Sequence, residues 1–253
     1  MANNGTPDPR IELRGIKKSF GPIRALSHVD LKVHAGEVLG LLGDNGAGKS
    51  TVMKILAGSL VADAGDILID GREVRISDPR AARAVGIEMI YQDLALCDDL
   101  DVASNFFLGQ EPRRFGLLDL ARMHREAAIA LKKLGSRIQS THVDIKSLSG
   151  GQRQTVAIGR ALQFNPRVLI MDEPTAALGV KEAGVVVETI KAVKAAGVAV
   201  ILISHRMQEI LDVCDRGVLI SEGRNVIDFT VKDQSIEGIA NIILNGGRER
   251  LAS

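Results

Sequence analysis

The residues Gly43-Asp44-Asn45-Gly46-Ala47-Gly48-Lys49-Ser50 fit the spacing G-x-x-x-x-G-K-S/T. They follow an apolar run, Val38-Leu39-Gly40-Leu41-Leu42, and precede a stretch of helical spacing from Ser50 to Ala57 that stops at Gly58. A glycine loop between a strand and a helix is built to hold phosphate. Glycines at 43, 46 and 48 let the backbone curl so that successive N–H groups face inward, and the following helix adds the positive end of its dipole. Lys49 reaches the β- and γ-phosphates as a point charge, an attraction of about 4 kcal/mol at ~4 Å for an effective dielectric of roughly 20. The Ser50 hydroxyl is placed to ligate Mg²⁺, with Thr51 next on the helix. Alone, the loop says only that the chain binds a nucleotide.

A second constellation supplies carboxylates. Val168-Leu169-Ile170-Met171-Asp172-Glu173 reads as a buried strand ending in two acids. That places them at the carboxyl edge of a sheet, where open α/β sheets bind ligands. Asp172 suits Mg²⁺, directly or through water. Glu173 is adjacent and points elsewhere, so it suits polarising an attacking water as general base. Gln92 follows Ile87-Glu88-Met89-Ile90-Tyr91, and His205 follows Val200-Ile201-Leu202-Ile203-Ser204, both at strand ends. Gln92 could contact Mg²⁺ or the lytic water, and His205 the γ-phosphate; singly, a glutamine there is usually loop surface and a histidine usually structural. Finally, Leu148-Ser149-Gly150-Gly151-Gln152 opens a helix with small residues, which makes a second anion-binding helix start in one polypeptide.

The elements that must position these groups follow from the apolar pattern. Ile11 to Leu42 alternates between breaks at Gly15, Gly21-Pro22 and Ala35-Gly36, which predicts short antiparallel strands. The stretch from about Asp93 to Ser147 has no strong strand, and Met123 to Leu134 reads as an amphipathic helix, so this region is expected to be helical. Beyond Gly150 the pattern predicts a helix to Gln163, a strand at Val168–Met171, a helix at Lys181–Ala196 and a strand at Val198–Ser204. Such alternation implies a largely parallel sheet covered by helices. Two short strands around Glu222-Gly223 and a helix near Ile236–Leu244 close the pattern.

Composition excludes several classes. With 253 residues, 45% of them hydrophobic, the chain can bury a large core as one domain with a subdomain. A net charge of +1 advertises no bulk attraction to nucleic acid or anionic lipid. The longest apolar runs fall short of the roughly 18 residues that span a bilayer, and Met1 to Arg10 lacks a secretory pattern, so a cytosolic location is expected. Cys97 and Cys214 lack metal-like spacing and read as reduced structural thiols.

Together these segments resemble the ABC ATPase family over about Ile11 to Leu244. The resemblance implies an α/β fold with a P-loop NTPase core and mostly parallel sheet, an N-terminal antiparallel β subdomain and an α-helical subdomain. It implies an ATPase domain over 11–246 with the helical subdomain inserted at about 93–160, and flexible tails at 1–10 and 247–253. In the family two nucleotide-binding domains meet head to tail, each lending its signature loop to the ATP held by the other. Carried over, Gly43 to Thr51 bind ATP, Ser149, Gly150, Gly151 and Gln152 form the signature, and Ser50, Asp172 and Gln92 serve Mg²⁺. Glu173 is then the catalytic base, Gln92 the coupling glutamine and His205 the switch histidine. Phe20 matches the aromatic position on which adenine stacks, although one phenylalanine on a strand is more often core. Most relatives carry Asp where this chain has Gly179, in Ala176-Ala177-Leu178-Gly179, which bears on coupling at the dimer interface.

The runs Glu88 to Leu96, Asn105 to Glu111 and Glu173 to Val180 are similar to the ATP-binding subunits of bacterial monosaccharide importers of the ribose, xylose and fructose type. Many of those contain two fused ATPase domains, whereas one copy of each motif occurs here, so the resemblance implies an ATP-sandwich dimer of two identical chains. It further implies transmembrane permease subunits as partners, an extracytoplasmic sugar-binding protein as an indirect one, and a peripheral place on the cytoplasmic face of the cell membrane. No nucleic-acid partner is expected. An importer for another solute, a soluble ABC ATPase acting on ribosomes or DNA, and a P-loop small-molecule kinase are the competing readings. The kinase reading leaves Ser149 to Gln152 without a role.

Overall fold

A computed structural model describes residues 8–246; of the tails expected at 1–10 and 247–253, residues 1–7 and 247–253 lie outside the described residues. The chain forms β1 (Ile11–Phe20), β2 (Ile23–Val33), β3 (Val38–Leu42), α1 (Lys49–Leu56), β4 (Ala64–Ile69), β5 (Arg72–Val74), α2 (Pro79–Ala84), β6 (Ile87–Ile90) and α3 (Val102–Phe106). It continues with a small hairpin, β7 (Arg113–Arg114) and β8 (Leu117–Leu118), then α4 (Leu120–Lys133), α5 (Gly150–Leu162), β9 (Val168–Asp172), α6 (Val180–Ala195), β10 (Ala199–Ile203), α7 (Met207–Val213), β11 (Arg216–Ser221), β12 (Arg224–Thr230) and α8 (Ile236–Asn245).

One ten-stranded sheet runs β5-β4-β1-β2-β12-β11-β3-β10-β9-β6. The strands β11, β3, β10, β9 and β6 are mutually parallel, while β5, β4, β1 and β2 form an antiparallel wing. β3 and β10 are buried along their whole length, which is why they read as unbroken apolar runs. Their side chains alternate between two layers. Leu39, Leu41 and Ile201 join Val52 and Met53 of α1 on one face. Val38, Leu42 and Leu202 join Ile158, Ile190 and Ile210 of α5, α6 and α7 on the other. The period of two therefore fixes which helix covers which face.

The antiparallel wing differs from the expectation of short strands: β1 and β2 have 10 and 11 residues. The sheet runs straight through Gly15, where a register shift between Leu13 and Ile16 and a φ of 58° form a bulge in place of a break. The hairpin β4–β5 and helices α2 and α7 were not legible, because β5 has only three residues, β4 begins with an exposed Ala-Gly-Asp, and α2 and α7 span only 6 and 7 residues. The two cysteines are unpaired as expected, yet only Cys214 is buried; Cys97 is exposed. Among the described residues no helix is long and apolar enough to cross a membrane.

Between β6 and β9 the chain builds a third apolar cluster, in which Phe106 of α3 and Met123, Ala127 and Leu131 of α4 pack with Val156 of α5. Gly159 of α5 permits this approach, since a Cβ there would lie 2.5 Å from Cε2 of the fully buried Phe106 ring. Gly159→Ala gains about 1 kcal/mol of helix propensity but overpacks a fully buried ring, at about 1–3 kcal/mol. The expected outcome is a net loss, read as a fall in apparent Tm of a few degrees, since each kcal/mol is worth roughly 2–4 °C at this size. An unchanged or raised Tm would mean that α3 yields freely.

Candidate functional site

The five parallel strands deliver their following residues to one sheet edge. β3 ends at Leu42 and passes into the glycine loop; β9 ends in Asp172, paired with Ile203 at the end of β10. Gly43 has a φ of 143° and a Cβ on it would lie 2.2 Å from the Ile220 carbonyl oxygen, so it needs glycine for both conformation and space. Gly48, with φ 112°, caps α1 without any side-chain hydrogen bond, and no acidic side chain occupies the first turn of that helix. The helix start is thus left to whatever anion enters the cleft.

Lys49 is 7% exposed, and its Nζ donates to the carbonyls of Gly43 at 2.6 Å and Asp44 at 2.9 Å. Burial pushes its pKa down, opposed by the negative charges of Asp44, Glu173 and Asp172. Phosphate oxygens are stronger acceptors than these carbonyls, so the ammonium is held ready to exchange partners. Burial, and then the neighbouring charge of Glu173, raise the pKa of Asp172, while Lys49 and His205 pull the other way. A divalent cation would relieve that carboxylate crowding. Glu173 has a φ of 48°, its N–H donates to the Ile203 carbonyl at 2.9 Å, and its Oε1 lies 2.9 Å from His205 Nε2. Adjacent strand residues normally face opposite ways; this left-handed kink, worth about 1–3 kcal/mol of strain, turns Glu173 into the same cleft as Asp172.

The cleft is lined by Asp44, Asn45, Gly46, Gly48, Lys49, Ser50 and Thr51 on one side and Asp172, Glu173 and His205 on the other. Gly43 and Ala47 lie beneath the loop: Ala47 accepts from Gly223 N at 2.9 Å. Gly223, in the β11–β12 turn, passes so close to β2 that a Cβ would meet the Ala25 carbonyl oxygen at 2.6 Å. Sequence reading missed this brace, and also missed Ala25, which lines the cleft; the only signal was the Glu222-Gly223 turn. Gln92 follows β6 at the same sheet edge but is exposed and does not line the cleft. Phe20, 46% exposed at the end of β1, lies outside the lining too, with Lys18 Nζ 5.7 Å from its ring centroid.

Ser149, Gly150, Gly151 and Gln152 are not at this cleft either; they start α5. Three of their N–H groups have partners within the chain: Ser149 N donates to Gln152 Oε1 at 3.0 Å, Gln152 N to Ser149 Oγ at 3.4 Å, and Gly150 N to Glu182 Oε1 at 2.9 Å. The other oxygen of Glu182 accepts from Gly179 N at 3.3 Å. Gly179 is the N-cap of α6 in an extended conformation, φ −68°. Glu182, one turn on, therefore caps α6 from within and ties it to the start of α5.

A family model described as ABC transporter matches residues 26–176. The chain is 47% identical over 240 residues to the ribose import ATP-binding protein RbsA of Chromobacterium violaceum, covering 95% of this chain and 47% of that protein. It is 40% identical over 250 residues to the fructose import ATP-binding protein FrcA of Rhizobium meliloti, covering 96% of each. The chain thus spans about half the length of the ribose-import relative and nearly all of the fructose-import one. A crystal structure of the ADP conformation of an ATP-binding cassette of an ABC transporter superposes with a TM-score of 0.77 at 26% identity, over 94% of this chain and 95% of that one. With the glycine loop facing two carboxylates across one sheet edge and a family match over more than half its length, the chain belongs to the ABC transporter family.

Proposed function

We propose that this chain binds ATP with Mg²⁺ and hydrolyses it to power uptake of a monosaccharide of the ribose, xylose or fructose type through a separate membrane permease. The observation that carries the chemistry is the opposition of Lys49 and Ser50 to Asp172, Glu173 and His205 across one cleft. Lys49 and the loop N–H groups neutralise the phosphates, and Ser50 and Asp172 hold the metal, with Gln92 joining them when its loop closes on the site. Mg²⁺ supplies charge neutralisation of the β- and γ-phosphates. Glu173 takes the proton of the attacking water, and His205, 2.9 Å from it, orients that carboxylate and meets the γ-phosphate. Phe20 stacks on adenine from the end of β1.

The start of α5 lies outside the cleft, so Ser149, Gly150, Gly151 and Gln152 reach a nucleotide only on a second copy of the chain. This is the support for a head-to-tail homodimer closed by ATP. Residues 93–160 act as a helical subdomain within an ATPase domain of 11–246 and pass closure to the permease. The chain works peripherally at the cytoplasmic face of the membrane, with an extracytoplasmic sugar-binding protein as indirect partner. The printed functions of the ribose- and fructose-import relatives support the sugar class.

Phosphate release by the purified chain, alone and with its permease and binding protein across candidate monosaccharides, tests this reading; a flat response to every sugar overturns the importer assignment. Glu173→Gln is expected to lower steady-state hydrolysis by on the order of 10²-fold or more while nucleotide binding persists. A variant that retains the wild-type rate removes Glu173 as base.

Asp172→Asn separates function from stability. The folded-state pKa of Asp172 is raised above its ordinary value of 3.8, so its favourable contribution is complete below that value and is lost as pH rises through the raised pKa. At neutral pH the nucleotide-free variant should melt at or above the wild-type temperature, with the gap closing toward acid, while magnesium-dependent hydrolysis is lost. Thermal melts from pH 4 to 8 check the sign.

A further inference from the structure

Three metal-ligating side chains that play no part in the phosphate cleft meet where α3, α4 and the segment before α5 are sewn together. The N–H groups of Val102 and Ala103 at the start of α3 donate to the carbonyls of Val143 and Thr141 at 3.1 and 3.2 Å, which fixes the two segments against each other. Asp101 caps α3 with Oδ1, which accepts from Ser104 N at 2.7 Å, and its Oδ2 is left facing His124 Nε2 at 3.6 Å. That separation is too long for a hydrogen bond. On the other side of the His124 ring, Nδ1 lies 3.0 Å from Oγ1 of the buried Thr141. With Nδ1–H donating to that hydroxyl, the ring is fixed and Nε2 presents its lone pair toward the carboxylate, an arrangement that a cation between the two would satisfy. His142 completes the group: its ring stacks on His124 at a centroid distance of 3.6 Å, and one ligand atom from each of Asp101, His124 and His142 lies within 4.8 Å of the others.

We propose that Asp101, His124 and His142 bind a divalent transition-metal ion of the zinc class, at a site separate from the magnesium–nucleotide site. Zinc takes imidazole nitrogen at about 2.0–2.1 Å and carboxylate oxygen at about 2.0–2.2 Å, which puts tetrahedral ligand atoms roughly 3.3–3.5 Å apart. The Asp101–His124 pair, at 3.6 Å, lies just outside that spacing. His142 is exposed, and unstacking its ring brings the third ligand in, leaving a fourth position for water. Two imidazoles and one carboxylate favour zinc or nickel over magnesium and calcium, which take oxygen ligands. The site would clamp the segment that runs from His142 into Ser149 at the start of α5.

Calorimetric titration of the full chain with Zn²⁺ in excess Mg²⁺ tests the proposal, with thermal melts alongside. One saturable equivalent and a raised Tm are expected for the wild type. His142→Ala, at an exposed position that the fold does not need, should weaken binding by at least ~10-fold, as should Asp101→Asn, which retains an N-cap oxygen for α3. Thr141→Val keeps the volume of the buried side chain and removes only the outer hydrogen bond, so a loss of roughly 10-fold is expected there. No saturable zinc binding by the wild type overturns the site. Zinc binding to His142→Ala as tight as to the wild type also overturns it, because the ion then resides elsewhere, as on Glu173 and His205.

Discussion

A buried ammonium confronting two carboxylates across a glycine loop is the interaction on which the site depends. Lys49 loses solvation when the sheet and α1 close around it, and the carbonyls of Gly43 and Asp44 with the charges of Asp44, Glu173 and Asp172 offset that loss. The balance is local and unsaturated. The carbonyls are weaker partners than phosphate, and the carboxylates repel each other, so a nucleotide carrying a divalent cation would satisfy both sides at once. The rest of the fold brings these groups to one edge: β3, β9 and β10 lie parallel, and register pairing sets Asp172 beside Ile203, one residue before Ser204 and two before His205.

Holding that edge in shape requires contacts from distant parts of the chain. The β11–β12 turn lends Gly223 N to the Ala47 carbonyl and takes Ser27 N from β2, so the loop is braced from beneath by a hairpin almost 180 residues later. Gly43 and Gly223 are glycine for the same reason, that another backbone passes where a Cβ would be. Glu173 stores strain instead, with a left-handed backbone that aims it at His205.

The second helix start is organised by one side chain. Glu182 accepts from Gly150 N and Gly179 N, placing a carboxylate at the positive ends of α5 and α6 together. Gly179 brings no side chain to this junction, and its N–H is capped from Glu182 one turn along the helix. Glu182 also couples the residues proposed to reach a partner's nucleotide to the loop that follows Glu173, through packing of α5 on α6 and not through the cleft itself.

Much of the site was legible because its chemistry is consecutive in sequence. Gly43 to Thr51, Asp172-Glu173 and His205 each follow an apolar strand, and a buried parallel strand leaves an unbroken hydrophobic run that marks its own end. The α/β class and the helices α4, α5, α6 and α8 were readable for the same reason, their periodicity being local. Hidden were features decided by residues remote from one another: the long β1 and β2 passing through the Gly15 bulge, the β4–β5 hairpin, the exposure of Cys97, the Gly223 brace and the Glu182 bridge. The sequence by itself determined which groups form the glycine loop and its lysine, since spacing along one loop suffices for that. Only the tertiary structure decided that Glu173 shares a cleft with Asp172, because a left-handed backbone kink, which no local pattern encodes, sets where that side chain lies.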